Sequence, residues 1–149
     1  MNTAVTRPVD RTSRGAVSVE VALLVPVLVL VAALAAAGWR IWWAGAQLQA
    51  AAEAGARAAS VQVDATVAGG MVADIVAADL ATSGVACRDV VVQSDVTAVA
   101  LPPGVAGTVS VTVTCSVVLS DLLVPGLPGT ITKQVQAVES IDVFRSRGR

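Results

Sequence analysis

One carboxylate, Glu20, stands inside an otherwise apolar run that begins just after Gly15. A charge in the first turns of a membrane segment is expensive, about 2.5–3.5 kcal/mol at a helix centre and less near the end, so its presence asks for a role. Gly15 closes a short leader that holds Arg7, Arg11 and Arg14. A residue without a side chain lets backbone enter a tight protease cleft in extended form, which is a physical rationale for glycine should the chain be cut at this junction. Hydrolysis there creates a cationic α-amino group on Ala16. In a bundle of such helices, Glu20 of one copy can meet that amine on the next, and the pair sets register where an unpaired charge of either sign is costly. Protonation or snorkelling of Glu20 to the interface is the competing account. Other chemistry has little to work with. There is no histidine, no zinc-ligand cluster, and no phosphate loop, since Gly126 to Lys133 lacks the required glycine-to-lysine spacing. Asp74 and Asp79, five apart on a predicted helix, do not share a face and read as solvated charge. The expectation is a chain with no catalytic residues, no metal and no cofactor, and not an enzyme.

The element that must position Glu20 is the apolar run Val21 to Ala37. It covers roughly 25 Å as a helix and, with Ala16 to Glu20 included, reaches the roughly 30 Å of a bilayer's hydrocarbon. Three arginines precede it and only Arg40 follows closely, so the positive-inside bias places the amino terminus in the cytoplasm and the rest outside. Trp39, Trp42 and Trp43 fall where amphipathic indoles favour the headgroup region. Pro26 removes one helical hydrogen bond within the run and predicts a kink or a locally melted turn. Two other fates stay open for this terminus. Ala35-Ala36-Ala37 fits a signal-peptidase site, although the run exceeds a signal peptide's apolar core and contains Glu20; a permanent single-pass anchor gives neither Gly15 nor Glu20 a meaning.

From Gly38 to about Ser60 the chain lacks proline and reads as the same helix continuing outward, with Glu53 and Arg57 placed as an i,i+4 pair. Its many alanines and glycines leave a smooth surface that neighbouring helices can approach. A second helix is predicted from about Ala65 to Thr82, capped by Asp64, ended by Gly84, and striped by Val72, Ile75, Val76 and Leu80. Beyond it the period changes to two. Arg88 to Val96 is a weak strand, Val109 to Leu119 a half-buried one, and Ile131 to Val143 a third with Lys133 and Glu139 as exceptions on its apolar face. Turns at Leu101-Pro102-Pro103-Gly104 and Pro125 to Gly129 make these an antiparallel meander. Cys87 and Cys115 both fall outside the membrane, and a histidine-free chain with two cysteines in an oxidising compartment is expected to join them. A hairpin folded about residue 101 sets the two opposite each other, at the cost of mixing the faces of Val90 and Val92, so either a bulge or a Cys87 just outside the ladder is expected.

The phrase RGAVSVEVALLVPVLVLV places glutamate fifth after the glycine, and with the downstream stretch AAAEAGARAAS it resembles the prepilins, and among them the TadE-like minor pilins of tight-adherence (Tad, or Flp-type) pilus systems. The resemblance covers Arg14 to about Val61; the remainder agrees only in architecture. Members of that family often carry tyrosine after the glutamate, where this chain has Val21 and contains no tyrosine at all. The resemblance implies trimming after Gly15 by a prepilin peptidase on the cytoplasmic side, and partnership with other pilin subunits, an assembly platform and membrane lipid. Such a protein enters or primes a pilus and resides in the bacterial inner membrane. The alternative is a signal-anchored or secreted envelope binding module with no pilus role.

At 149 residues with a formal net charge of −1, the chain is one anchor plus one small domain, with no electrostatic footprint for nucleic acid. The expected fold class is α+β: a long transmembrane helix extending into the exterior, a second short helix, and a small three-stranded antiparallel sheet. The expected division is a leader at 1–15, a membrane helix at 16–38, its extension at 39–61, an extracytoplasmic domain at 62–144, and a basic tail at 145–149 holding Arg145, Arg147 and Arg149.

Overall fold

The computed structural model describes residues 13–120, 126 and 128–144, with side chains from residue 20 onward. The leader arginines Arg7 and Arg11, much of the turn before Gly129, and the basic tail lie outside these residues.

Alanine, leucine and valine without a breaker give one continuous helix, α1 (Ser13–Ser60), which passes through Pro26 and spans about 72 Å. Its two halves have different surroundings. Ala37, Ala44, Leu48, Ala51, Ala52, Ala56 and Ala59 are buried, at the three-and-four spacing of a core-facing stripe, whereas the large apolar side chains before Ala37 are exposed. Helix α2 (Ala65–Ser83) folds back along the second half of α1. Asp64 caps it, accepting hydrogen bonds from the Thr66 and Val67 amides, and Gly84 ends it in the left-handed region at φ 72°. Its face of Ala68, Val72, Val76 and Leu80 is buried.

The meander follows as β1 (Cys87–Asp95), β2 (Thr108–Val118) and β3 (Thr130–Ser140), with β2 central and both pairings antiparallel. Strand β2 alternates strictly: Val109, Val111, Val113, Cys115 and Val117 are buried towards the helices, and Ser110, Thr112, Thr114 and Ser116 line the other face. The single core lies between the valine face of β2, the alanine stripe of α1 and the inner face of α2. Chain direction sorts the connections into two ends. The α2–β1 turn and the end of β2 lie beside Trp43 and Ala44, while the α1–α2 turn and the β1–β2 connection lie at the far end, near Ser60.

Fold class and element order match the sequence reading, and four details differ. The first hairpin does not put the cysteines opposite each other: Cys87 stands against Val117 and Val92 against Val113, with a bulge between Arg88 and Val91. The connection accounts for the offset, because residues 96–107 include a 3-10 turn at Thr97–Ala100 where a tight proline turn was expected. Gly107 allows that path, since a Cβ there would come within 2.7 Å of Ala98 Cβ. Arg57 pairs across the fold with Glu139 at 3.7 Å, and Glu53 instead accepts from Gln49, so the expected i,i+4 pair gives way to a tertiary one. Glu139 thereby has a partner at the rim of the apolar face. Finally, the smooth face from Ala51 to Ala59 is used within the molecule, and only the part nearer the membrane segment is left for a neighbour. At Gly55 the helices come so close that a Cβ would lie 3.2 Å from Val76 Cγ2 and 3.3 Å from Val72 Cγ1.

Candidate functional site

The candidate site is the first half of α1. Gly15 and Ala16 lie on its opening turn, with helical backbone, and their surroundings are outside the described side chains. Glu20 is exposed one turn further on, at the head of an apolar surface. Val21, Leu23, Leu24, Val25, Val27, Leu28, Val29, Leu30, Val31 and Leu34 are each 46–68 % exposed. A contiguous apolar surface of this extent is not left to water in a soluble monomer. The helix containing it is long and apolar enough to cross a membrane. Helix α2 passes the same test of length and composition, but its inner face is buried in the domain core. Pro26 lies within the exposed stretch, where its missing N–H leaves the Ala22 carbonyl without its helical donor while the helix continues unbroken.

The three indoles gather into one patch. Trp39 lies against Trp42, with ring centroids 5.4 Å apart, and stacks near-parallel with Trp43 at 6.2 Å. Spacings of three and four residues place them on one side of the helix, immediately before the first core residues of the domain. Trp39, Arg40, Trp43 and Ala44 form one wall of a cleft of about 420 Å³ whose other wall is Gly84, Val85, Ala86, Val117 and Val118. Sequence reasoning found the indoles but not the cleft, because its second wall comes from residues forty or more positions away.

Next to the cleft's second wall Cys87 and Cys115 are joined, with Cα atoms 5.6 Å apart. Because Cys87 faces Val117, the bridge runs diagonally across the ladder and ties the edge strand to the central one beneath the helices. Cys115 is fully buried and Cys87 half-buried. Two carboxylates are held below their ordinary range, both by local caps. The Thr66 hydroxyl, then the Thr66 and Val67 amides, lower Asp64; the Thr97 hydroxyl and amide lower Asp95. Both are solvent-exposed and structural in their partners. Among the described residues there is no cluster of three or more metal-ligating side chains.

Comparison with known protein families gives a partial match. The model of the family described as TadE-like protein matches residues 15–57. No curated protein and no solved structure gives a match. The match begins at Gly15 and takes in Glu20, the exposed apolar surface, the indole patch and most of the core-facing stripe. Over residues 15–57 the chain is similar to the family described as TadE-like protein.

Proposed function

We propose that this protein is a minor pilin that waits in the bacterial inner membrane, is trimmed between Gly15 and Ala16 by a prepilin peptidase, and takes part in assembling or priming a Tad-type pilus. One observation carries the reading: Gly15, Ala16 and Glu20 occupy prepilin spacing at the head of a helix whose next sixteen residues, Val21 to Ala36, present an apolar surface that is largely exposed, inside the matched segment. The basic leader favours a cytoplasmic amino terminus and an extracytoplasmic domain, the side on which a disulfide persists. Other pilin subunits contact the exposed half of α1, the assembly platform receives the trimmed subunit, and Glu20 sets register against a neighbour's new amine. In this reading 1–15 is removed, 16–38 is the membrane part, 39–61 is the stem that enters the domain core, and 62–144 completes the domain.

A signal-peptidase cut at Ala35 to Ala37 fits less well, because it would sever α1 where the continuous helix enters the domain and where Ala37 is buried. The intact mass of the mature protein from cells tests the proposal. A chain beginning at Ala16 is expected. A start near Gly38 identifies a secreted module instead, and an uncut chain identifies a plain anchor.

A further inference from the structure

The cleft between α1 and the α2–β1 turn lies at one particular height on the molecule. From Glu20 to Ala36 the helix advances about 25 Å, close to the thickness of a hydrocarbon core, so Trp39 to Ala44 falls within the next several ångströms, the depth of the headgroups. The cleft's first wall is Trp39, Arg40, Trp43 and Ala44. Its second wall, Gly84 to Ala86 with Val117 and Val118, is carried to the same height by the return of α2 and the descent of β2. That wall is apolar although it closes the end of a domain. Gly84 and Ala86 are exposed on it, and Val85 and Val118 are only half-buried. The cleft is therefore continuous with the exposed apolar surface of α1 through the indole patch, and its volume falls in the range of sites that hold small amphiphiles, about 300–1,000 Å³.

We infer that the domain is seated on the outer leaflet of the bilayer that α1 crosses, with lipid from that leaflet entering the cleft between Trp39 and Trp43 on one side and Val85, Ala86 and Val118 on the other. The lipid covers what the described residues leave open, and the domain is held against the membrane surface at two places, the helix and the cleft wall. This rests on the membrane reading of α1. It goes beyond that reading in assigning a lipid contact to residues that belong to no membrane segment.

Single-tryptophan reporters in the full-length, disulfide-bonded protein reconstituted in phosphatidylcholine vesicles test it. Trp39, Trp42 and Trp43 are replaced by phenylalanine, and one indole is returned as Ala86→Trp, with Val118→Trp as a second reporter in case the first disturbs the turn. Phospholipid brominated near the headgroup end of its acyl chains serves as quencher. Trp39 alone is the positive reference, and Val105→Trp, on the β1–β2 connection at the far end of the domain, is the water reference. The expected result is a blue-shifted emission at residues 86 and 118 that loses intensity to the brominated lipid much as Trp39 does. Emission at both sites that is water-like and unquenched, as for Val105→Trp, while Trp39 is quenched, overturns the inference and leaves the membrane reading standing. Blue-shifted but unquenched emission also overturns it, and indicates a protein cover such as a second copy. Loss of quenching at Trp39 itself overturns the membrane reading and the inference together.

Discussion

In the proposed topology the disulfide lies on one side of the membrane and the Gly15–Glu20 junction on the other, and each is open to a single substitution. Cys87 and Cys115 close a segment with a separation of 28 residues across the edge of a core made largely of valine and alanine. In the chain-entropy account a bridge of that span contributes about 3–4 kcal/mol, a large share of what a small domain has to spare. Cys87→Ser is expected to lower the unfolding free energy of the purified protein by that amount, measured by chemical denaturation, and to leave trimming at Gly15 unchanged. Glu20 belongs to the other side. Glu20→Ala should insert at least as readily as the parent, since removing a charge eases insertion, and should still be cut after Gly15. Its pilus yield should fall sharply if the carboxylate meets a neighbour's amine; normal yield would leave Glu20 without that role. Gly15→Leu should give the opposite phenotype, an untrimmed chain of full mass.

At the scale of elements, the two glycines of the stem separate intrinsic helix preference from packing. Nothing lies within 4 Å of a Cβ built on Gly45, so Gly45→Ala should stabilise the domain by up to about 1 kcal/mol through helix propensity alone. The same change at Gly55 pushes a methyl against Val72 and Val76, whose branched side chains have little freedom to turn aside. Gly55→Ala should therefore lose that gain, and Gly55→Leu should destabilise by about 1–3 kcal/mol by prising α2 from α1; thermal melts of the three variants decide it. The cap of α2 adds a pH dependence of known sign. The folded Asp64 carboxyl lies below its ordinary value, so its contribution is present above the unfolded range and fades as pH falls through the folded one. Asp64→Ala should melt below the parent at neutral pH, and the gap should close in acid.

The elements legible from sequence were those specified by local patterns. The alternation along Val109 to Leu119, the Asp64 and Gly84 boundaries, and the unbroken alanine-rich stem all depend on neighbours a few residues apart. What escaped depended on distance. Arg57 finds Glu139 rather than Glu53 because β3 passes beside α1 in the fold, and the first hairpin takes its register from a 3-10 turn that packs against Gly107. The indole patch shows the same division. Its three tryptophans announce an interface in the sequence, while the opposite wall of the cleft requires the return of α2 and β2 to be seen.

For the whole molecule, one unbroken helix is both anchor and core element. No linker separates them: the exposed apolar surface runs into the indole patch, and the core begins at Ala44 of the same helix. In the proposed function, trimming, insertion and folding of the domain therefore all act on the same rod. The sheet shows its valine face to that rod and turns Ser110, Thr112, Thr114 and Ser116 away from it, so a definite face of the domain points outward from the helix axis. A helix also behaves as a screw. Each residue inserted into it turns everything beyond by about 100° and advances it about 1.5 Å. One alanine added between Leu34 and Ala35 would thus swing the serine and threonine face to a different compass bearing relative to Glu20, whereas seven would restore the bearing to within about 20° and only raise the domain. If copies of this chain are held together through Glu20, the bearing of that face is common to all of them and is written into the number of residues between Glu20 and Ala37.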